Sequence, residues 1–227
     1  MNQAEHALVA GVRARIYGLL SSLFISPPEP QLLRTLRKPT SVDVTLNTDE
    51  DLPQRLMRGL EKLRSFAETP RGERTKDLSQ RISVEFTRLF RGIEKGRPPP
   101  YQSVYTEGGT LYGNSTVQVA SEYRRFGLVP REEYVGEPPD HIALEFFFMS
   151  YLSSKEAEAW SQDEDERANE LLSQELKFLE KHILPWIPRL CRNIRRWDRV
   201  GFYSAVADIT EAWTQLDRIQ IVELTKG

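Results

Sequence analysis

Cysteine is almost absent, with Cys191 alone among 227 residues. One thiol excludes an internal disulfide framework and any cysteine-rich metal site. Histidine is scarce as well: only His6, His141 and His182 occur, and none follows a glutamate by three positions. The paired Glu-x-x-His motifs of a di-iron helical bundle are therefore missing. HExxH, GxSxG, a Walker loop and GxGxxG are missing too. No apolar run approaches the ~18–20 residues of a membrane-spanning helix. The longest, 16–25 and 142–152, are interrupted by Ser or Glu. The N-terminal MNQAEHALVAGVRAR lacks a basic start followed by an apolar stretch, so no signal peptide is expected and the cytoplasm is the expected location. Strand-like alternation is confined to 42–46, inside a polar stretch.

Neither charge sign dominates. Thirty-one basic and 33 acidic residues leave a net charge of −2. Residues 1–135 carry 20 Lys/Arg against 16 Asp/Glu (+4), and 136–227 carry 11 against 17 (−6). An acidic C-terminal half disfavours nucleic acid there and admits a basic peptide partner.

What the chain does have is helical periodicity. Leu8, Val12, Ile16, Leu19, Leu20, Leu23 and Phe24 form one stripe, stopped by the Ser-Pro-Pro-Glu-Pro run at 26–30. Leu52, Leu56, Leu60 and Leu63 form a second, and Leu78, Ile82, Phe86, Leu89 and Phe90 a third that closes at Gly92. Ser115-x-x-Gln118 suggests a capping box opening a short helix to Phe126, with Gly127 as its C′ residue. The stretch DHIALEFFFMSYL, apolar on nearly every side, predicts a central buried helix. Ser161-x-x-Glu164 suggests another capping box, opening a helix that Pro185 and Pro188 break or kink. A last stripe runs from Phe202 to Leu216. The expected fold class is all-α, with about eight to ten helices. Two packed halves, 1–135 and 136–227, are expected to meet at a Pro- and Gly-punctuated hinge over 127–139.

Residues 92–113 stand apart from this background, with five Gly, three Pro and three Tyr. Loops of that length inside compact domains tend to be functional. Pro98-Pro-Pro-Tyr101 matches the PPxY pattern read by WW domains, but four-residue matches are cheap and a Pro-rich segment in a rigid loop is the better reading. In Glu137-Pro-Pro-Asp140-His141, two prolines lead rigidly into Asp140, which is placed to cap the buried helix and orient His141. His141 and Glu145, four apart, offer two ligands to a metal, which is short of a site. Arg189 and Arg192 flank Cys191, but no other feature makes it a nucleophile. Arg192, Arg195, Arg196 and Arg199 share one helix face, either a solvated face or an anion-binding stripe.

Three segments together resemble, in order and spacing, the TorD/DmsD/NarJ family of redox-enzyme maturation chaperones. They are Glu85-Phe-Thr-Arg-Leu-Phe90-Arg-Gly92, Pro98-Pro-Pro-Tyr-Gln-Ser-Val-Tyr105 and Glu137-Pro-Pro-Asp-His-Ile142. The run 178–186 (FLEKHILPW) is similar to the family's pattern as well. The resemblance covers about residues 5–215. It implies an all-helical chaperone without catalysis or cofactor of its own. Such a protein binds the twin-arginine leader, and sometimes the body, of a molybdopterin-containing oxidoreductase, and holds it until the cofactor is in place. Domain-swapped dimers are admitted by the hinge. Carried over by position, the leader-binding residues would be Arg15, Tyr17, Phe86, Phe90, Tyr101, Pro139, Asp140 and His141. Some members place Trp where Phe86 stands and an aromatic near the position of Glu94, so client preference does not transfer. With no phosphate loop, nucleotide binding is not expected.

The physics of that task agrees with the residues. A leader that joins a basic pair to an apolar stretch calls for an aromatic groove and a carboxylate. Phe86, Phe90 and Tyr101 can supply the first, and Asp140 or Glu137 the second. Two other readings compete: a nucleic-acid-binding or regulatory protein using the Arg192–Arg199 stripe, and a metal-dependent hydrolase around His141 and Glu145. Neither accounts for the 92–113 loop and the E-x-P-D-H segment together.

Overall fold

Proline decides where the first helix stops. In a computed structural model, which describes residues 1–37, 51–68, 74–92, 97–129 and 136–225, α1 (Gln3–Ile25) ends just before Pro27 and Pro28. The same run also starts the next helix. Pro30 occupies the first turn of α2 (Pro30–Leu36), where a missing N–H leaves nothing unsatisfied. The sequence reading took 26–30 only as a stop and missed α2.

The second and third stripes become α3 (Leu52–Ala67) and α4 (Thr75–Phe86), the latter running into a π turn over Thr87–Arg91. The long loop contains a five-residue helix, α5 (Gln102–Thr106), which was not expected. α6 (Asn114–Arg125) ends as predicted: Gly127 takes φ 69°, and its N–H donates to Arg124 O while Leu128 N–H donates to Tyr123 O. Its start differs from expectation, because Gly113 is the N-cap and Ser115 lies inside the helix.

α7 (Ile142–Ser161) is the central helix expected from its all-round apolarity, with Ile142, Phe146, Met149 and Leu152 fully buried. Ser161 closes α7 and does not open α8 (Asp165–Phe178), whose N-cap is Glu164 without a side-chain cap. α8 passes into a second π turn (Leu179–Ile183), and α9 (Ile187–Trp197) starts after Pro185, as the proline pattern predicts. α10 (Phe202–Leu224) is the last stripe. Ten α-helices and no strand among the described residues agree with the all-α reading. The alternation at 42–46 falls outside the described residues.

Contacts divide the chain into two compact units, each discontinuous in sequence. Unit 1 is Met1–Ser21, Pro100–Trp186 and Asp217–Gly227, and unit 2 is Ser22–Pro99 and Ile187–Leu216. These are not the halves 1–135 and 136–227. Residues 130–135 of the expected hinge lie outside the described residues, and the charge split at 136 does not mark a boundary between compact units.

Unit 1 is centred on α7 and carries a buried ionic cluster. The Arg13 guanidinium reaches Asp217 (2.6 Å), Glu156 (2.5 Å) and Glu175, tying α1 to α10, α7 and α8. Tyr17 Oη donates to Asp217 (2.7 Å), Ser153 Oγ to Glu175 (3.0 Å) and Trp160 Nε1 to Glu156 (3.0 Å). Three carboxylates against one cation in a fully buried place leave a surplus of negative charge. Burial raises Glu175 to about 8, only partly opposed by Arg13, so it holds a proton at neutral pH.

On length and composition alone α1 could cross a membrane, the only such helix among the described residues. This corrects the apolar-run argument, which stopped short of its full 23 residues. Ala10, Arg13, Tyr17, Leu20, Leu23 and Phe24 on α1 are buried within the protein.

Unit 2 packs an aromatic core. Phe90 lies 5.3 Å from Phe86, 5.8 Å from Phe24 and 5.1 Å from Tyr203, between ring centroids. Edge-to-face geometry dominates, with interplanar angles of 62–86°. Glu85 binds Arg88 and accepts from Arg199 N–H (2.7 Å), and these bonds hold it below the usual carboxylate range despite burial.

Candidate functional site

Pro100 and the Pro138-Pro139 run are brought edge to edge in unit 1. Prolines hold φ near −65°, and each residue before a proline is pushed toward extended backbone. Pro100 and Pro138–Pro139 thus approach as stiff lead-ins to α5 and α7. Their meeting is a single antiparallel bridge, Tyr101 against His141. Gln102 N–H donates to Asp140 O (3.0 Å), and Ile142 N–H to Pro100 O (2.9 Å).

Asp140 does not cap α7. The N-cap is His141, whose Nδ1 accepts from Ala143 N–H at 3.1 Å. Asp140 is fully buried, and its two oxygens accept from Ser103 N–H (2.8 Å) and Thr116 Oγ1 (2.9 Å). One carboxylate thereby clamps the first turns of α5 and α6 to the lead-in of α7. Tyr123 Oη adds a bond to Pro139 O (3.0 Å). The segment is rigid, as its prolines predict, but its carboxylate holds Ser103 and Thr116 in place of the α7 N-terminus.

Toward solvent the same strap presents Tyr101 and Glu137, both half-buried, joined by Tyr101 Oη donating to Glu137 at 2.8 Å. The Tyr101 ring meets His141 edge-on at 5.1 Å. One short helix further on, the loop over 107–113 turns through Gly108 (φ 68°) and Gly109 (φ 91°), and Tyr112 also lies at positive φ (62°). Leu111 and Tyr112 are 43% and 63% exposed. Glu107 fixes the loop, its carboxylate accepting from Asn114 N–H (2.6 Å), Ser115 N–H (2.8 Å) and Ser115 Oγ (2.6 Å). These bonds, that from the Ser115 hydroxyl first, lower its pKa. Sequence reasoning missed Glu107, because a capping acid seven residues ahead of its helix belongs to no spacing rule.

Beneath the strap is Glu145, fully buried, with Trp186 the one neighbour that favours its charged form. Burial first, and the Asp140 carboxylate second, hold it well above the usual carboxylate range, so it stays protonated. His182 is buried too, and burial pushes it down to about 4, so it is neutral.

The remaining expected residues fall elsewhere. Phe86 and Phe90 are buried in the aromatic core of unit 2. Tyr17 is buried in the Arg13 cluster, which the sequence reading did not foresee, while Arg15 is exposed on α1. Pro98 and Pro100 are buried, so the PPxY segment is not laid out for a WW domain. His141 and Glu145 form no metal site: no group of three or more potential metal ligands exists among the described residues. The Arg stripe is partly neutralised, as Arg195 bonds Asp208 (2.8 Å) and Glu211 (2.6 Å). Burial raises the Cys191 thiol far above its ordinary value, which leaves it unreactive.

The all-helical frame agrees with the resemblance drawn from sequence. The profile of the nitrate reductase delta subunit family matches residues 49–192. The chain belongs to this family. The chaperone protein TorD of Vibrio cholerae is 28% identical over 223 residues, covering 93% of both chains. TorD of Photobacterium profundum is 30% identical over 142 residues, 62% of this chain and 64% of that one. The fold is similar to the crystal structure of a redox enzyme maturation protein from Archaeoglobus fulgidus. That likeness has a TM-score of 0.51 at 20% identity and covers 89% of this chain and 93% of the other.

Proposed function

We propose that this family member is a cytoplasmic maturation chaperone for a molybdopterin-containing oxidoreductase. It binds the client's twin-arginine leader, holds the apo form until the cofactor is inserted, delays export and performs no catalysis of its own. The relatives named TorD chaperones support the class. The observation that carries the reading is the outward side of the strap. Tyr101 and Glu137 stand half-exposed, on a backbone fixed from behind by Asp140 and one short helix from the exposed Leu111 and Tyr112.

Apolar rings beside a carboxylate are what a basic pair followed by an apolar stretch requires. Glu137 accepts from Tyr101 at the outward side of the strap, and a carboxylate is the group that takes an arginine fork. Asp140, fully buried between two donors, acts by positioning the strap and not by touching the leader. Phe86 and Phe90, in the core of unit 2, are likewise excluded from direct contact in this reading. α1 serves as a core helix of a soluble protein, its buried Arg13 neutralised within the fold.

The experiment is a calorimetric titration of the full chain with a synthetic peptide carrying two adjacent arginines ahead of an apolar stretch. Binding in the micromolar range, about −8 kcal/mol, is expected. Replacing both arginines by lysines should weaken it at least fivefold, because an ammonium cannot make the bidentate contact. Equal affinity for the two peptides would refute leader recognition through a carboxylate.

A further inference from the structure

A second concave surface of unit 1 is separate from the strap. α6, α7, α8 and the π turn at Leu179–Ile183 enclose a cleft of about 450 Å³, within the size range of ligand pockets. Its walls are aromatic. Phe148 lies 4.7 Å from Phe178 and 5.4 Å from Phe126, both edge-to-face, and His182 lies 4.9 Å from Phe178.

His182 supplies an independent sign of a ligand. It lines the cleft, is 1% exposed, and its Nδ1 lies 3.2 Å from Gln102 Oε1. An acceptor opposite Nδ1 places the proton there and leaves Nε2 as a bare acceptor. That atom has no hydrogen-bond partner among the described residues, where buried polar atoms nearly always have one.

The rim gives the charge of the occupant. Its acids are matched: Glu122 pairs with Arg125 (3.0 Å) and Glu180 with Arg218 (2.7 Å). Lys177 and Lys181 are exposed, four residues apart where α8 runs into the π turn, and neither has an acidic partner among the described residues. The surplus is two cations over an aromatic floor, a surface that repels the basic pair of a leader.

We propose that this cleft binds an acidic peptide segment of the client outside its leader, with a bulky apolar side chain among the phenylalanines and the following carboxylates on Lys177 and Lys181. That segment lies against the His182 ring at the cleft wall. The client assignment rests on the chaperone reading above, whereas the chemistry of the cleft does not. The chaperone would then hold its client at two points of opposite charge.

The test titrates acetyl-Phe-Asp-Glu-Leu-amide into the full chain, beside acetyl-Phe-Lys-Lys-Leu-amide and acetyl-Gly-Asp-Glu-Gly-amide. The first should bind at least tenfold more tightly than either of the others, and the His182 side-chain nitrogen resonances should move as it binds. Lys177→Glu with Lys181→Glu, at exposed positions that leave the circular dichroism unchanged, should reverse the preference between acidic and basic peptides. The twin-arginine peptide should bind that double variant within twofold of wild type. No binding of the acidic peptide, equal binding to wild type and the double variant, or resonance changes confined to residues away from His182 would each overturn the proposal. Because the twin-arginine peptide is titrated separately, its failure to bind wild type would count against the leader reading and leave the cleft standing.

Discussion

At the scale of single residues, Asp140 shows how a correct suspicion acquires the wrong mechanism. Its position after two prolines marks it as held in place, but nothing in the sequence tells that Ser103 and Thr116, 37 and 24 residues away, are its partners. Asp140→Ala leaves a buried N–H without an acceptor and should cost about 1–3 kcal/mol. Asp140→Asn should recover most of that, because its carbonyl can accept from Ser103 while the Thr116 hydroxyl turns to accept from its amide. Denaturant midpoints of the two variants measure this. Equal midpoints for Ala and wild type would show that the clamp contributes nothing. Arg13 was illegible for the same reason: its three carboxylate partners are at 156, 175 and 217, beyond any spacing rule. Phe86 and Phe90 were legible as apolar, but apolar spacing cannot distinguish a ring in a groove from a ring in a core.

Elements were easier to read than their ends. Periodicity located the long helices because each buries one face, and near-continuous apolarity located α7, which buries all but the side carrying Phe147. α2 and α5, at 7 and 5 residues, are too short to display a period, and prolines at their starts disguised them as breaks. Both proposed capping boxes failed. At α6 the first N–H groups are met by Glu107 from the preceding loop, and the pattern Ser-x-x-Gln is short enough to occur by chance. The loop over 107–113 makes its own prediction. Tyr112 carries a side chain at φ 62°, a region costing non-glycine residues roughly 1–2 kcal/mol, offset in part by the entropy a glycine would lose. Tyr112→Gly should therefore leave thermal stability unchanged or slightly raised while weakening twin-arginine peptide binding several-fold. A clear fall in melting temperature would mean that the ring packs into the fold and is not presented to a client.

For the whole molecule, the buried acids set a pH dependence of opposite sign to the usual one for carboxylates. Glu175 is raised from 4.5 to about 8, so the native state binds more protons than the unfolded chain between those values. Its contribution to stability is present below about pH 4.5 and is lost as pH rises through 8. His182, lowered from 6.5 to about 4, acts the other way between pH 4 and 6.5 and is silent above. From pH 6.5 to 8 Glu175 should thus contribute a decline in stability of about 1–2 kcal/mol, at most 1.4 per pH unit for its one proton. Glu175→Gln, which keeps the protonated shape, should flatten this decline, as chemical denaturation at pH 6.5 and 8 would show. An equal decline in the variant would place the titrating group elsewhere. The outward face of the strap remains the centre of the functional account, and Glu137 is its test. In calorimetric titration with the twin-arginine peptide, Glu137→Gln replaces a charge-assisted bond by a neutral one and should lose about 1–2 kcal/mol, five- to thirty-fold in affinity, with an unchanged melting temperature. The loss should be smaller when the peptide carries lysines in place of its arginines, because an ammonium makes only the single contact. Wild-type affinity in Glu137→Gln would contradict the account, because Glu137 is the carboxylate on which it rests.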